Sequence, residues 1–532
     1  MNKIAYMLLS GLCLLIAPAM MAQEDGEAKA QYRMEDLKRT LLWSESYNAA
    51  GLRFVDFQNY SFAEACLGKN DGGFVRYYQS DNSLDYGLRT ESYTRVRRVT
   101  MYGSLEYNNL LGRNMTNTGF VRPDRYAAGL GDSIPAEKRR ETYTLRGAVA
   151  APIYKNLSVG LSIDYNAGNE AKMKDLRTAN TSFDLLATGS LLYSNRLLSV
   201  GGSYLYRKFH ERLTFAQVSP DYNVVGGYYY TGLWFGIFDK WQNTPLGNGT
   251  HFFNDVLKGL SLQAGLTLGQ LKLMGEATYN TRDGYWGRDR DNALTINTGD
   301  IYEYSGRAAC STPHGTHYLN IRTRFEAEDN AIQNIFQEKI GGVTYPTFLG
   351  SNSMFRRNTF NIGVEYLVAF GKAEHPSMTF RAGYVNMVRN SSAAVVNPYV
   401  YTQSIRRNDL YVEAMKSFDL RRSMIDVSLR LGGGKGYGDV LTRTRIDINP
   451  NMEVTAGFGQ QRVDLLHREY EYYTAASVDS MIGARYTYFL RAKKQGQSLY
   501  GDIRYDARVA LGISRVPDDF AGALRLAVGY GF

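Results

Sequence analysis

The sequence is poor in cysteine: only Cys13, Cys66 and Cys310 occur in 532 residues. Cys66 and Cys310 are too far apart for a disulfide framework, and their spacing leaves open whether they pair. Proline is scarce as well, with 12 residues scattered along the chain. No Pro- or Ser-rich linker divides the sequence, so one domain is expected despite the length. After the first two dozen residues no run of about eighteen apolar residues occurs, which excludes ordinary membrane-spanning helices. The mean hydropathy of −0.34 would fit a soluble protein. That inference is unsafe, because barrel strands alternate lipid-facing and lumen-facing residues and average to neutral. Charge of one sign is not clustered either. The net charge is +9, but the basic residues are dispersed among acids, which argues against a nucleic-acid surface. Anionic lipid headgroups or surface sugars are the expected partners.

What is present begins at the N-terminus. Met1-Asn2-Lys3 precedes an apolar run from Ile4 to Ala19, followed by the polar QEDGE from Gln23. One positive charge, an apolar core and small residues describe a secretory signal peptide over 1–22, with cleavage after Ala22 or after Ala19. Residues 23–72 then form a periplasmic N-terminal segment. Within it Met34, Leu37 and Leu41 recur at helical spacing beside Trp43, the pattern of a short helix. It either caps or enters the barrel mouth as a plug, or is a plain tail.

The expected fold class is all-β: a single transmembrane antiparallel β-barrel over 73–532. Period-two patterning carries this reading. Leu157, Val159, Leu161, Ile163 and Tyr165 share one face, with Ser158, Gly160, Ser162 and Asp164 on the other. The same alternation runs through Leu260–Leu268, Phe360–Phe370 and Ile425–Leu431, and most fully through Leu499–Ile513. A strand of about fifteen residues spans roughly 50 Å at about 3.3 Å per residue. Such length suits a tilted barrel strand and not a compact sandwich. About sixteen to eighteen strands are expected, with fourteen allowed. Tight connections (194–196, 269–270, 372–376, 493–497) alternate with long ones (about 109–140, 209–257, 281–316, 389–407), as short periplasmic turns alternate with long extracellular loops. The 41 tyrosines suit membrane–water boundaries, where one end of the ring is apolar and the other wet.

The chain ends on Leu524, Leu526, Val528, Tyr530 and Phe532 along one face. This resembles outer-membrane barrels as a class, whose last strand carries an aromatic-ended signal for the barrel-insertion machinery; Val528, Tyr530 and Phe532 are the matching positions. The stretch Gly72–Asn109 (GGFVRYYQS…SLDYGLRTESYTRVRRVTMYGSLEYNN) resembles an uncharacterised family of Gram-negative outer-membrane β-barrel proteins, a domain of unknown function. The resemblance implies an outer-membrane location and a barrel fold, and no activity.

If apolar faces meet lipid, the opposite faces line the lumen. They supply Arg98, Glu106, Arg146, Asp164, Arg322, Arg324, Glu326, Glu365, Arg381, Asp426, Arg430, Asp502, Arg504, Asp506, Arg508 and Arg525. A basic residue turned to lipid at mid-membrane would cost about 2–4 kcal/mol, so these face inward. They line a hydrated pore, or form an ion-pair network that holds or closes the barrel. Cys310, His314 and His317 (CSTPHGTHY) have zinc-ligand chemistry. They sit in an irregular stretch without a fourth ligand, so no metal and no cofactor is expected. His210 and His251, with Glu211 and Asp239 nearby, lack a nucleophile motif, so no enzyme is expected. The run Gly432–Gly438 lacks phosphate-loop spacing and reads as a flexible strand-to-loop transition.

The resulting expectation is a porin-like channel or transporter for hydrophilic solutes in the cell outer membrane. The alternative is a non-conducting barrel whose extracellular loops, such as Val224–Lys240, bind a surface glycan or a lipoprotein; a surface hydrolase is a weaker third. Outer-membrane lipid and the barrel-insertion machinery are the expected partners, with no nucleic acid.

Overall fold

The computed structural model describes residues 34–55, 59–218, 227–237, 249–291, 293–340, 343–372, 375–396, 399–420, 422–445, 462–490 and 497–532. The signal peptide lies outside the described residues.

After helix α1 (Met34–Thr40) and a 3₁₀ turn (Ala49–Phe54) come the strands. The first are β1 (Tyr60–Asp71), β2 (Asn82–Val96), β3 (Val99–Met115), the short β4 (Gly129–Asp132) and β5 (Ala136–Tyr154). Next are β6 (Leu157–Lys172), β7 (Arg177–Ser194), β8 (Leu198–Ala216), and two short strands, β9 (Gly227–Tyr230) and β10 (Gly236–Ile237). They are followed by β11 (Gly249–Leu268), β12 (Leu271–Trp286), β13 (Thr295–Thr312), β14 (Gly315–Ile340) and β15 (Val343–Lys372). Then come β16 (His375–Val396), β17 (Tyr399–Asp419) and β18 (Ser423–Arg445). Helix α2 (Val463–Thr474) precedes β19 (Ala476–Phe489), β20 (Ser498–Leu511) and β21 (Phe520–Gly531).

All but β4, β9 and β10 belong to one antiparallel sheet of 18 strands. It closes where β1 pairs with β21, from Phe62 opposite Gly531 to Asp71 opposite Gly522. Closure removes both sheet edges, so every strand has two partners. The expected count, about sixteen to eighteen with fourteen allowed, is corrected to 18. The count was blurred because strands leave the membrane and lose their apolar alternation there. The start of the barrel is also corrected: β1 lies within the stretch assigned to the N-terminal segment. Its outward residues, Ala63, Ala65, Leu67, Lys69 and Asp71, contain one large apolar side chain, too little for a sequence signal.

The apolar faces point outward. Leu161, Leu262, Leu410 and Val528 are 58–70% exposed. A continuous belt of large apolar side chains, closed on itself and surrounding a charged interior, is the surface of a barrel that spans a membrane. The fold is that of an outer-membrane barrel, in contact with lipid along this belt. Among the described residues no helix is long and apolar enough to cross a membrane.

The turns at one end are tight for local reasons. Gly269 takes a positive φ of 61° in the two-residue turn between β11 and β12, which twists the hairpin in the favoured sense. Asn195 accepts hydrogen bonds from the Leu197 and Leu198 amides at 2.9 and 2.8 Å, closing the β7–β8 turn. The stretches 281–316 and 389–407, expected as long loops, are mostly strand, and at the other end strands run on past the membrane. β14 and β15 run for 26 and 30 residues, far beyond the roughly ten a tilted strand needs to cross a bilayer, so this hairpin projects well past the membrane. The stretch 389–407 is almost wholly β16 and β17. Polar residues above the membrane hid this extension. The run Gly432–Gly438 lies inside regular β18. A Cβ at Gly436 would press on the α2 backbone at Thr474, so close helix approach accounts for that glycine.

Candidate functional site

The site is the lumen, which is occupied from both ends. From the tight-turn end, residues 34–55 enter the barrel and pack on its inner wall. A methyl at Gly160 of β6 would overlap the backbone of Ala49 and Ala50, and one at Gly201 of β8 would overlap the Asn48 amide. The missing side chains are what let the segment lie against the sheet. Asn48 then donates to the Leu191 carbonyl and to Gln263, both at 2.9 Å. Glu276 of β12 accepts from the Tyr47 amide and Ser46 at 3.1 Å, from Ser261 at 2.9 Å and from Gln263 at 2.8 Å. The Tyr47 hydroxyl donates to Glu303 at 2.9 Å. Burial first, then Glu303, hold its pKa well above the tyrosine range, so it stays a neutral donor. Glu45 pairs with Arg307 at 2.6 Å and also with Arg322. Lys38 pairs with buried Glu91. One small apolar cluster, Met34, Leu41 and Val55 against Tyr60, Phe62 and Tyr93, adds to these contacts. Together they make 34–55 a plug, held mainly by hydrogen bonds and charge rather than by a large apolar core.

The opposite end is closed by inward-folded connections. Residues 116–135, between β3 and β5, fold into the lumen against β7, β8 and β12. There Arg125 meets Asp184 at 2.9 Å and lies 4.1 Å from the centre of the Phe209 ring. Asp184 also receives Arg122 and Arg207, at 3.3 and 2.7 Å. The Val121 amide and the Tyr126 hydroxyl donate to fully buried Glu211 at 2.9 and 3.1 Å. Arg282 of β12, 5% exposed at its side chain, pairs with Asp255 at 2.8 Å and with Glu328, and donates to the Arg125 carbonyl at 3.0 Å. Above this, β4, β9 and β10 form a small sheet. Its Tyr228, Tyr229 and Tyr230 pack with Tyr77, Phe120, Trp234, Phe235, Leu465 and Leu466 into the largest buried cluster among the described residues. Many of the tyrosines thus build this lid; others, such as Tyr86, Tyr204 and Tyr304, face outward as expected.

Helix α2 is tied into the lid by Glu471, which accepts from the Ser514, Arg515 and Val516 amides at 2.7, 2.6 and 2.7 Å and from the Ser514 hydroxyl at 3.0 Å. Burial raises the Glu471 pKa, and these donors outweigh it, so the net shift is downward. A carboxylate with a depressed folded pKa stabilises fully above its unfolded value, about 4.3, and loses that contribution as pH falls through the folded one. Glu471→Gln is therefore expected to loosen the 512–519 connection at neutral pH, and acid below about pH 4.3 to do the same to the native chain. A spin label on Arg515→Cys, whose side chain is exposed, reports it. Equal label mobility with Glu471 and with Gln at that position, from pH 7 down to acid, would refute the clamp.

Most of the charges assigned to the lumen are paired within the wall. Asp164 lies 3.6 Å from Arg146. Arg324 meets Glu303 and Glu326 at 2.6 and 2.9 Å, and Arg381 lies 3.7 Å from Glu365 and 3.8 Å from Glu413. Arg504 meets Asp506 at 2.7 Å, and Arg508 pairs with Asp479. Asp426 accepts from Ser417 at 2.6 Å. Arg430 stacks 3.8 Å from the Tyr411 ring centre, and Asp502 sits opposite Arg485. Glu106 faces the lumen exposed. Arg98 is the exception: it lies in the two-residue turn joining β2 and β3, outside the lumen, because the strand ends one residue earlier than its alternation implied.

The zinc-like trio is also corrected. Cys310 and His317 are cross-strand neighbours at the tight-turn end, with His314 in the intervening turn. This is not a long loop, and no metal-holding cluster occurs among the described residues. His317 is engaged with the Tyr366 hydroxyl at 2.6 Å. Cys310 shares the outward face of His317, whereas Cys66 opposes Gly87 on the lumen face, and both are free thiols. His210 bonds Asn254 at 2.9 Å on the face opposite Glu211, so alternation separates that pair. Asp239 lies outside the described residues.

A family model described as a family of unknown function (DUF6850) matches residues 49–531, nearly the whole chain. The chain belongs to this family. No curated protein matches it. Solved structures similar to this DUF6850 member include the RagAB peptide importer in its "closed-closed" state, with 7% identity, 89% of this chain and 87% of that chain covered, and a TM-score of 0.37. The outer membrane transporter YddB from Escherichia coli gives 9% identity, 90% and 81% coverage, and 0.40. BauA, the ferric preacinetobactin receptor from Acinetobacter baumannii, gives 10%, 88% and 80%, and 0.36. Likeness at this level carries no weight for function, which rests on the lumen itself.

Proposed function

We propose that this protein is a gated outer-membrane channel or transporter for hydrophilic solutes, with the plug at residues 34–55 as its periplasmic gate. One observation carries the reading: the plug is held in a charged lumen chiefly by polar contacts, at Asn48, Tyr47, Ser46 and Glu45. Net hydrogen bonds of this kind contribute only about 0.5–1.5 kcal/mol each, so the plug is displaceable without unfolding the barrel. Insertion through the C-terminal strand at Val528, Tyr530 and Phe532 belongs to the same reading.

A reversible lock tests it. With Cys66 and Cys310 changed to serine, Asn48→Cys and Gln263→Cys are bridged by a short reducible bis-thiol crosslinker across a contact where the native side chains touch at 2.9 Å, because two cysteines alone do not span two amide side chains. Liposomes carrying the crosslinked protein should swell in small sugars and amino acids no faster than empty ones, and reductant should restore the swelling of the uncrosslinked form. Identical swelling with and without the crosslink would remove the gate.

A second reading, a non-conducting barrel that binds a surface glycan or lipoprotein, is favoured by the β14–β15 hairpin, whose length serves no purpose inside the membrane.

A further inference from the structure

Arg525 of β21 is the least accounted-for charge in the lumen. Its neighbours across the sheet are Arg504 of β20 on one side and Gly68 of β1 on the other. Along its own strand, the same-face neighbours are Ala523 and Ala527. The guanidinium therefore rises from a floor of small residues, and it is exposed. Among the described residues it has no ion pair. Arg504 beside it is engaged by Asp506 through two hydrogen bonds of 2.8 and 2.7 Å, and the neighbouring Asp502 stands opposite Arg485. The Asp85 carboxylate lies over Gly68, one strand further on, and Glu413 is within electrostatic reach of Arg504. Like charges directly opposite on antiparallel strands are destabilising, and no carboxylate on β21 beside Arg525 or directly opposite it relieves the repulsion.

The plug also brings an acidic group close. Glu35, in plug helix α1, lies within electrostatic reach of Arg504 and Asp502, so the plug already places an acidic group near the arginines. A guanidinium with free N–H donors binds planar or tetrahedral oxyanions in paired hydrogen bonds.

We infer that Arg525, with Arg504 beside it, is a binding site in the lumen for the oxyanion group (carboxylate or phosphate) of a hydrophilic solute. This rests on the proposed transport function and narrows it to anionic solutes. Glu35 of the closed plug competes with the solute for the same wall.

Calorimetric titration of the full chain in detergent tests it, with citrate and inorganic phosphate as probes and glucose as the uncharged control. Each titration is run on the native protein and on a Gly160→Leu form, in which the lumen is accessible. Binding of either anion, weakened at least about tenfold by Arg525→Gln, partly restored by Arg525→Lys and tightened by Glu35→Gln, is the expected result; tenfold corresponds to about 1.4 kcal/mol. No anion binding in either form, or binding indifferent to Arg525→Gln, overturns the site. Because this readout needs no conduction, it is separable from the gate: a barrel that binds anions but never conducts would retain the site and lose the transport reading.

Discussion

Gly160→Leu is expected to release the plug and open the tight-turn end of the lumen. The plug backbone at Ala49 and Ala50 occupies the space a side chain at 160 would need, and neither the sheet nor a backbone segment can yield as a flexible side chain could. Overpacking of this kind costs about 1–3 kcal/mol. Charged against the plugged state alone, that shifts the closed-to-open balance about five- to 150-fold. Planar-bilayer conductance should rise accordingly once the lid is loosened as well, in the Gly160→Leu/Arg282→Met double variant. The control is Gly147→Leu on β5: its nearest neighbour is the Ile163 side chain at 3.6 Å on the lipid face, so conductance should stay at the native level. Heat-modifiable migration on gels checks that both variants fold. If the plug is released in that double variant, as shown by protease access to Arg53, and the bilayer still carries no current, the channel proposal fails.

Arg282→Met should produce the largest loss of stability among the lumen charges. The guanidinium is buried and serves Asp255, Glu328 and the Arg125 carbonyl together. Taking away one partner of a buried pair leaves uncompensated charge and costs about 3–5 kcal/mol. The matching change at Arg504, whose side chain is 42% exposed, should cost under about 1 kcal/mol, because water screens its pair. Urea unfolding in lipid vesicles measures both. Arg282→Met should in addition free the 116–135 connection, exposing Arg122 and Arg125 to trypsin in the folded barrel. Equal unfolding midpoints for the two variants would contradict the idea that this network anchors the lid.

The two results would separate the ends of the lumen. The plug end is held by many individually weak polar contacts and should open with little effect on the barrel. The lid end is held by a buried charge cluster and an aromatic core, so loosening it should register in global stability.

How much was legible beforehand depended on whether the signal was local. Alternation along Leu157–Tyr165 or Leu499–Ile513 is a property of one strand, and it correctly separates the lipid face from the lumen face. The helical spacing of Met34, Leu37 and Leu41 likewise pointed to a helix near the mouth. Nothing local marked Gly160 and Gly201 as the floor beneath that segment, because a lumen glycine has the same pattern value as a lumen serine. Cys310, His314 and His317 were expected in a loop, whereas they flank the tight hairpin between β13 and β14. Strands that continue above the membrane carry polar residues on both faces, which erases the period-two signal.

By itself, then, the sequence determined the all-β barrel class, the lipid-facing side of the strands with clear alternation and the charged character of the interior, since all three follow from side-chain alternation against a fixed bilayer. Tertiary structure alone decided the closure at 18 strands, the pairing of nearly every lumen charge, and the filling of the lumen by residues 34–55 and 116–135. Those depend on contacts between residues far apart in the chain, such as Asn48 with Gln263 and Arg125 with Asp255, and no periodicity along the chain encodes which distant side chain will stand opposite.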